Sequence, residues 1–341
     1  MTTIFAPDLL TRDFLSALLQ RQAHVPQRWP AQGGNWLWLG EGALQWEPGD
    51  LALRHADLVI SCGIHGDETA PVEVCNQLIH DLAAGTLPCR ARVLFLFGNP
   101  EALRQHRRYL DDDLNRMFDG RHQQHPGSRE ADRAAQLEQW LTTFFTAAPA
   151  TARAIPRLHY DLHTAIRGSR FERFALYPYR ADQQWNAQQM AWLQRCGVDA
   201  VLLNEKPAGT FSYFSSSRFG ADAFTLELGK VRRFGENDLS RFSGIDQGLR
   251  DVMSSPMDSS VAPLPRRFRV AGEIVRQSEA DFQLHIPDDV ENFTAFPRGT
   301  VLATDGGYRY VVTHDEECIV FPNPKVKAGL RAGLLVVEIK A

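Results

Sequence analysis

Residues 63–73, GIHGDETAPVE, carry an imidazole and a carboxylate three positions apart, His65 and Glu68. That spacing lets a tight turn, or the first turn of a helix, aim both side chains at one point. Zinc accepts imidazole nitrogen and carboxylate oxygen, and a catalytic zinc needs three protein ligands plus a water. The third ligand must come from elsewhere, and His163 in the run RLHYDLHTA is the candidate. Alternation puts Leu158, Tyr160 and Leu162 on one face of that run and His159, Asp161 and His163 on the other. Asp161 is then placed to hold the second ring nitrogen of a ligand histidine. An H-x-x-E pair by itself is more often a solvated surface pair than a metal site. Gly63 and Gly66 on either side of His65 favour the metal reading, because they permit a tight turn at a strand end.

A hydrolytic metal site also needs a proton carrier. In AFTLELGK, Phe224, Leu226 and Leu228 share one face while Thr225 and Glu227 share the other, so Glu227 interrupts an apolar run beside Gly229. A partly buried carboxylate has its pKa raised toward the range useful for proton transfer; an edge-strand glutamate facing solvent fits the same pattern. The segment GNPEALRQHRRYLDDDLNRMF, residues 98–118, follows an apolar run with unusual polarity. Arg107, Arg108 and Arg116 suit polarising a carbonyl and gripping a carboxylate, whose geometry the planar guanidinium matches. Asn115 adds a donor. The competing reading is a charged helical face in which Arg107 and Arg108 pair with Asp111 to Asp113.

The elements that must position these groups are legible as short apolar runs closed by Gly, Pro or polar residues: ADLVISCGIHG, RVLFLFGNP, RLHYDLHTA, RFALYPY and AFTLELGK. Helix-compatible stretches such as TAPVEVCNQLIHDLAAG and READRAAQLEQWLTTFF lie between them. Buried strands alternating with helices imply an α/β fold with a largely parallel sheet covered on both faces. Ligands bind such sheets beyond the carboxyl ends of the strands, where the polar residues above fall. DLLTRDFLSALLQ carries Leu9, Leu10, Phe14, Leu15, Leu18 and Leu19 at helical spacing, and GNWLWLGEGALQWEP predicts a hairpin. The chain divides into a catalytic domain over 1–252, with an N-terminal helix and hairpin extension over 1–50, a Ser/Pro-rich linker over 253–267, and a smaller all-β domain over 268–341.

Composition narrows the partners. The 341 residues carry 37 Lys and Arg against 41 Asp and Glu, a net charge of -4, without a basic stripe. That argues against nucleic acid. No stretch approaches a membrane span. The five cysteines form no C-x-x-C pair and are odd in number, which predicts reduced thiols and a cytoplasmic protein. There is no G-x-S-x-G elbow to suggest a serine nucleophile. Oligomeric state is not legible.

The ordered blocks GIHGDE, GNPEA…RRYLDDDLNR, DLHT and LELG resemble the succinylglutamate desuccinylase/aspartoacylase group of the zinc carboxypeptidase-like superfamily over residues 55–235. The resemblance implies a zinc carboxypeptidase-like mixed sheet flanked by helices, with a second domain in the C-terminal β region. It implies one zinc ion per chain held by His65, Glu68 and His163, Glu227 as general base, and Arg108 polarising the scissile carbonyl. Asn115 and Arg116 match a carboxylate-binding pair, and Arg218 falls near a further carboxylate-binding arginine of the group. The implied reaction is hydrolysis of a small N-acyl amino acid. For the desuccinylase branch that substrate is N-succinyl-L-glutamate, cleaved as the last step of arginine breakdown through succinylated intermediates. An aspartoacylase-like deacylase of another N-acyl amino acid, a zinc carboxypeptidase and a non-catalytic binding protein are the alternatives.

Overall fold

The computed structural model describes residues 13–21, 26–147, 154–182, 184–258 and 263–340. Leu9 and Leu10 of the expected first helix lie outside them. Its described part, Phe14–Leu19, is capped by Asp13, which accepts the Ser16 N–H. The hairpin forms as β2 (Gly34–Gly40) and β3 (Ala43–Pro48), preceded by β1 (Gln27–Ala31). It is more than an appendage: β3 pairs antiparallel with β5 (Arg92–Phe97) and so extends the main sheet.

The apolar runs become β4 (Asp57–Cys62), β5, β6 (Arg157–Ala165), β7 (Phe174–Tyr177) and β9 (Asp222–Lys230). The order β5-β4-β6-β9 is parallel throughout, and β9 then meets β7 antiparallel. Both faces are covered, as continuous apolar strands require. On one side Ile60, Leu162, Tyr160 and Leu226 pack with Leu78, Trp192 and Leu249 of helices Thr69–Ala83, Ala187–Arg195 and Ser243–Ser254. On the other, Val59 and Leu96 pack with Leu141 and Phe145 of helix Arg129–Thr146 and with Phe211 and Phe214 of helix Phe211–Phe219. The polar face of β6 and β9 lies on this second side.

The C-terminal part continues the same sheet. The short strand β8 (Ala200–Leu203) pairs with β7, and β10 (Arg266–Val275) pairs parallel with β8. Antiparallel β16 (Arg331–Glu338), β15 (Glu316–Val320) and β12 (Thr294–Pro297) follow. Strands β11 (Gln283–Leu284), β13 (Val301–Asp305) and β14 (Tyr308–Val311) form a separate three-stranded sheet. Together these strands are a smaller β domain joined to the large mixed sheet. Helix Ser243–Ser254 and strand β10 occupy the two ends of the expected linker 253–267.

The turn that ends β4 explains its two glycines differently. Gly63 sits at φ +61°, where a side chain is strained. Gly66 is needed for close approach: a Cβ there would lie 2.2 Å from the Ala102 carbonyl carbon and 2.4 Å from Leu103 N. Both are backbone atoms that cannot yield without moving the loop. Gly66→Ala is therefore expected to destabilise the fold by about 1–3 kcal/mol, seen as a lowered urea midpoint, with His65 displaced. A wild-type midpoint would show that the 100–105 segment yields freely.

Candidate metal centre

His65 leaves the sheet on the turn after β4, and Glu68 stands just before helix Thr69–Ala83, its carboxylate turned to the histidines and making no cap on the helix. His163 rises from β6, one strand over. All three are at most 3% exposed. One ligand atom from each lies within 4.8 Å of the others, and among the described residues this is the group of three or more that could hold a metal ion.

The hydrogen bonds show which atoms face inward. His65 Nδ1 lies 2.8 Å from Glu68 Oε1, and His163 Nδ1 lies 2.9 Å from Glu68 Oε2. Each imidazole turns its other nitrogen to a further carboxylate: His65 Nε2 to Asp113 Oδ1 at 3.0 Å, His163 Nε2 to Asp161 Oδ2 at 3.0 Å. This is the arrangement in which a carboxylate fixes the tautomer and ring plane of a ligand histidine. The Thr164 N–H (3.0 Å) and Arg108 Nη1 (2.9 Å) also donate to Glu68.

Glu227 is the Cα register partner of His163 on the adjacent parallel strand, about 4.8 Å away across the sheet. It stands on a central strand and is buried, which removes the solvent-facing edge-strand reading. Its Oε2 is a buried atom without a hydrogen-bond partner. Burial, with the charge of Glu68 adding to it, pushes its carboxyl up to about 7. Burial and the Arg108 charge pull His65 down, yet Glu68 and Asp113 outweigh them and leave its pKa raised. Burial likewise pulls His163 down, but Asp161 and Glu68 carry it well above its ordinary value.

These features fit a divalent cation. Asp67, Glu68, Asp113 and Glu227 all bear on Arg108, while Asp161 lies on His163, so the pocket collects carboxylates faster than guanidiniums. Two inward Nδ1 atoms, a carboxylate between them and an orphaned buried carboxylate oxygen are the donor chemistry of an N/O site for zinc.

The 98–118 segment is not a helical face. Helix Pro100–Arg104 ends after one turn, with His106 at φ +49°. The rest is held by Glu130, a buried carboxylate that accepts Asn99 Nδ2 and the N–H groups of Leu110, Asp111 and Asp112 at 2.7–3.3 Å. Arg108 thereby reaches Glu68 rather than the aspartates, and Asp111 pairs with Arg129. Asn115 is buried, and its side-chain oxygen accepts the Phe211 N–H. Its NH2 group is the end that could meet a carboxylate. Arg116 is exposed beside it, donating to the Asn115 carbonyl. Arg218 is engaged elsewhere: its Nε donates to Asp119 Oδ1 at 2.7 Å, and the side chain is 60% exposed.

Sequence reasoning missed Asp113 and Glu130. The DDD run was visible, but three adjacent aspartates do not reveal which one turns inward. Nothing local marks Glu130, an acidic residue in a first helical turn, as the anchor of a distant loop. Asp113→Asn is expected to weaken zinc affinity about 10–100-fold, measured by chelator competition, because the amide no longer fixes the His65 tautomer. An affinity equal to wild type would mean that His65 needs no such partner.

A family model for the succinylglutamate desuccinylase/aspartoacylase catalytic domain matches residues 54–253, and one for the AstE/AspA barrel-sandwich hybrid domain matches 264–339. A protein from Burkholderia orbicola strain MC0-3, named succinylglutamate desuccinylase, is 51% identical over 333 residues, covering 96% of each chain. Among solved structures, the succinylglutamate desuccinylase of Chromobacterium violaceum is 44% identical with a TM-score of 0.84 and covers 99% of each chain. That of Vibrio parahaemolyticus is 35% identical with a TM-score of 0.88 over 96% of each. The family match and these relatives make the chain a hydrolase that acts on an amide bond. The chain belongs to the succinylglutamate desuccinylase/aspartoacylase family.

Proposed function

We propose that this chain hydrolyses N-succinyl-L-glutamate to succinate and L-glutamate with one zinc ion held by His65, Glu68 and His163. The observation that carries the catalytic part is the buried carboxylate of Glu227, register partner of His163. The names of relatives up to 51% identical over nearly the whole chain support the choice of substrate.

A zinc ion bound there supplies a Lewis acid that acidifies water and polarises a carbonyl oxygen. Glu227, with a carboxyl near neutrality, takes the proton of the attacking water and returns it to the departing glutamate nitrogen. Arg108, held by Glu68, presents N–H donors to the oxyanion developing on the succinyl carbonyl, a role typically worth about 3–4 kcal/mol. Asn115 and Arg116 lie on the segment following Arg108 and supply donors for a substrate carboxylate. The substrate carries three carboxylates, which suits arginines gathered at the rim of an otherwise acidic pocket. Asp161 and Asp113 hold the histidines in place.

Its place in arginine breakdown and a cytoplasmic location go with this reading. The five cysteines are free, and no helix among the described residues is long and apolar enough to cross a membrane. Turnover of N-succinylglutamate, N-acetylaspartate and a C-terminal dipeptide, followed by release of the free amino acid, tests the substrate. Preference for N-succinylglutamate is expected; faster turnover of either other compound overturns the choice while leaving the site chemistry intact.

A further inference from the structure

Beneath His163 a row of buried polar side chains continues away from the metal centre into the protein. Asp161 Oδ2 faces His163 Nε2 at 3.0 Å, and Asp161 Oδ1 accepts the Ser61 hydroxyl at 2.5 Å. Ser61 Oγ in turn lies 2.8 Å from His159 Nε2, and His159 Nδ1 lies 2.6 Å from Ser215 Oγ. The five residues are at most 1% exposed. They come from three elements: β4 gives Ser61, β6 gives His159, Asp161 and His163, and helix Phe211–Phe219 gives Ser215. Ser61 and Asp161 are register partners on adjacent strands, so the link between them is set by the sheet itself.

Proton counting gives this row a single direction. A carboxylate only accepts, and a hydroxyl has one proton to give. Ser61 gives its proton to Asp161, so it must accept from His159, which therefore carries its proton on Nε2. Burial pulls His159 down to about 4, so the ring is neutral and Nδ1 is left as an acceptor for the Ser215 hydroxyl. At the other end both Asp161 oxygens are occupied, one by Ser61 and one by His163 Nε2–H. With Nε2–H committed to Asp161, the nitrogen of His163 left to give up its proton to a cation is Nδ1, the one that faces Glu68.

We propose that Ser61, His159 and Ser215 are positioning residues. They form a one-directional hydrogen-bond chain that locks Asp161 and thereby presents His163 to the metal through Nδ1. The proposal rests on the metal-centre reading of the site. Hydrogen bonds in series strengthen one another, and an unpaired group in such a row is costly in a dry interior. Removing the Ser61 hydroxyl would strip a partner from Asp161 Oδ1 and another from His159 Nε2–H at once. Outer partners of ligand histidines set affinity by about 10–100-fold, and a residue one step further out belongs at the low end.

The test combines spectroscopy on the wild-type protein with zinc affinity of variants. In a long-range 1H–15N spectrum of histidine-labelled protein at pH 7, His159 is expected as the neutral Nε2–H form, with and without zinc. A His159 protonated on Nδ1, or on both nitrogens, overturns the chain's direction. Ser61→Ala is expected to lower zinc affinity about ten-fold by chelator competition, with Ser61→Thr, which keeps the hydroxyl, restoring most of it. Wild-type affinity in Ser61→Ala overturns the positioning role. If Ser61→Ala does not fold, the wild-type spectrum and the milder Ser215→Ala, expected to lose a few-fold in affinity, still decide. Absence of zinc binding by the wild type would instead overturn the metal centre, and the His159 spectrum separates the two failures.

Discussion

Glu227→Gln is expected to lower kcat on N-succinylglutamate by about 10²–10⁴-fold while leaving zinc content and the folded structure unchanged. Glutamine keeps the shape and one acceptor oxygen but cannot carry the proton from water to the leaving nitrogen. The wild-type carboxyl is suited to that task because it is buried and lies beside the charge of Glu68. A base must be unprotonated to act, so the wild-type rate falls as pH drops through its pKa. In the metal-free protein that value is about 7. A dication next to Glu68 opposes the charge that raises it, so the acid limb of kcat/KM is expected below about pH 7 and to vanish in the variant. A variant within a few-fold of wild type would remove Glu227 from proton transfer.

His163→Ala is expected to reduce zinc from one ion per chain to below roughly one tenth, read by atomic absorption after dialysis. The expectation follows from the geometry on both sides of the ring: Nδ1 completes the three-residue group, and Nε2 holds Asp161. The same change leaves Asp161 and Glu68, both at most 2% exposed, short of a partner. A stability loss of about 3–5 kcal/mol in the metal-free protein should accompany it. His80→Ala serves as the contrast: its side chain is 43% exposed on helix Thr69–Ala83, and zinc content should stay at one. Full zinc occupancy in His163→Ala would show that the ion sits elsewhere.

The readable parts of this fold were those in which one strand carries both an apolar and a polar face. Alternation in RLHYDLHTA and AFTLELGK puts His163 and Glu227 on the polar face of their strands, the face they occupy, because a buried strand has no freedom to turn a charged residue toward its apolar layer. The C-terminal β region was equally visible from its turns. What escaped was pairing between distant segments. The four residues of β8 are too short to mark a strand, yet they join β7 to β10 and carry the sheet into the second domain. The hairpin after residue 34 gave no sign that β3 would pair with β5. Around the site, Arg108 was legible by type, but the loop that delivers it depends on Glu130, about twenty positions away. Asp113, Ser61 and Ser215 had no local signature, since their roles come from what the sheet and one helix bring beside them.

The most direct measurement is anomalous diffraction at the zinc absorption edge on crystals of the zinc-loaded protein. One peak per chain is expected at bonding distance, about 2.0–2.2 Å, from His65 Nδ1, His163 Nδ1 and a Glu68 oxygen, with Glu227 alongside but unbound. A peak bound through the Nε2 atoms, or placed away from these three residues, would contradict the account.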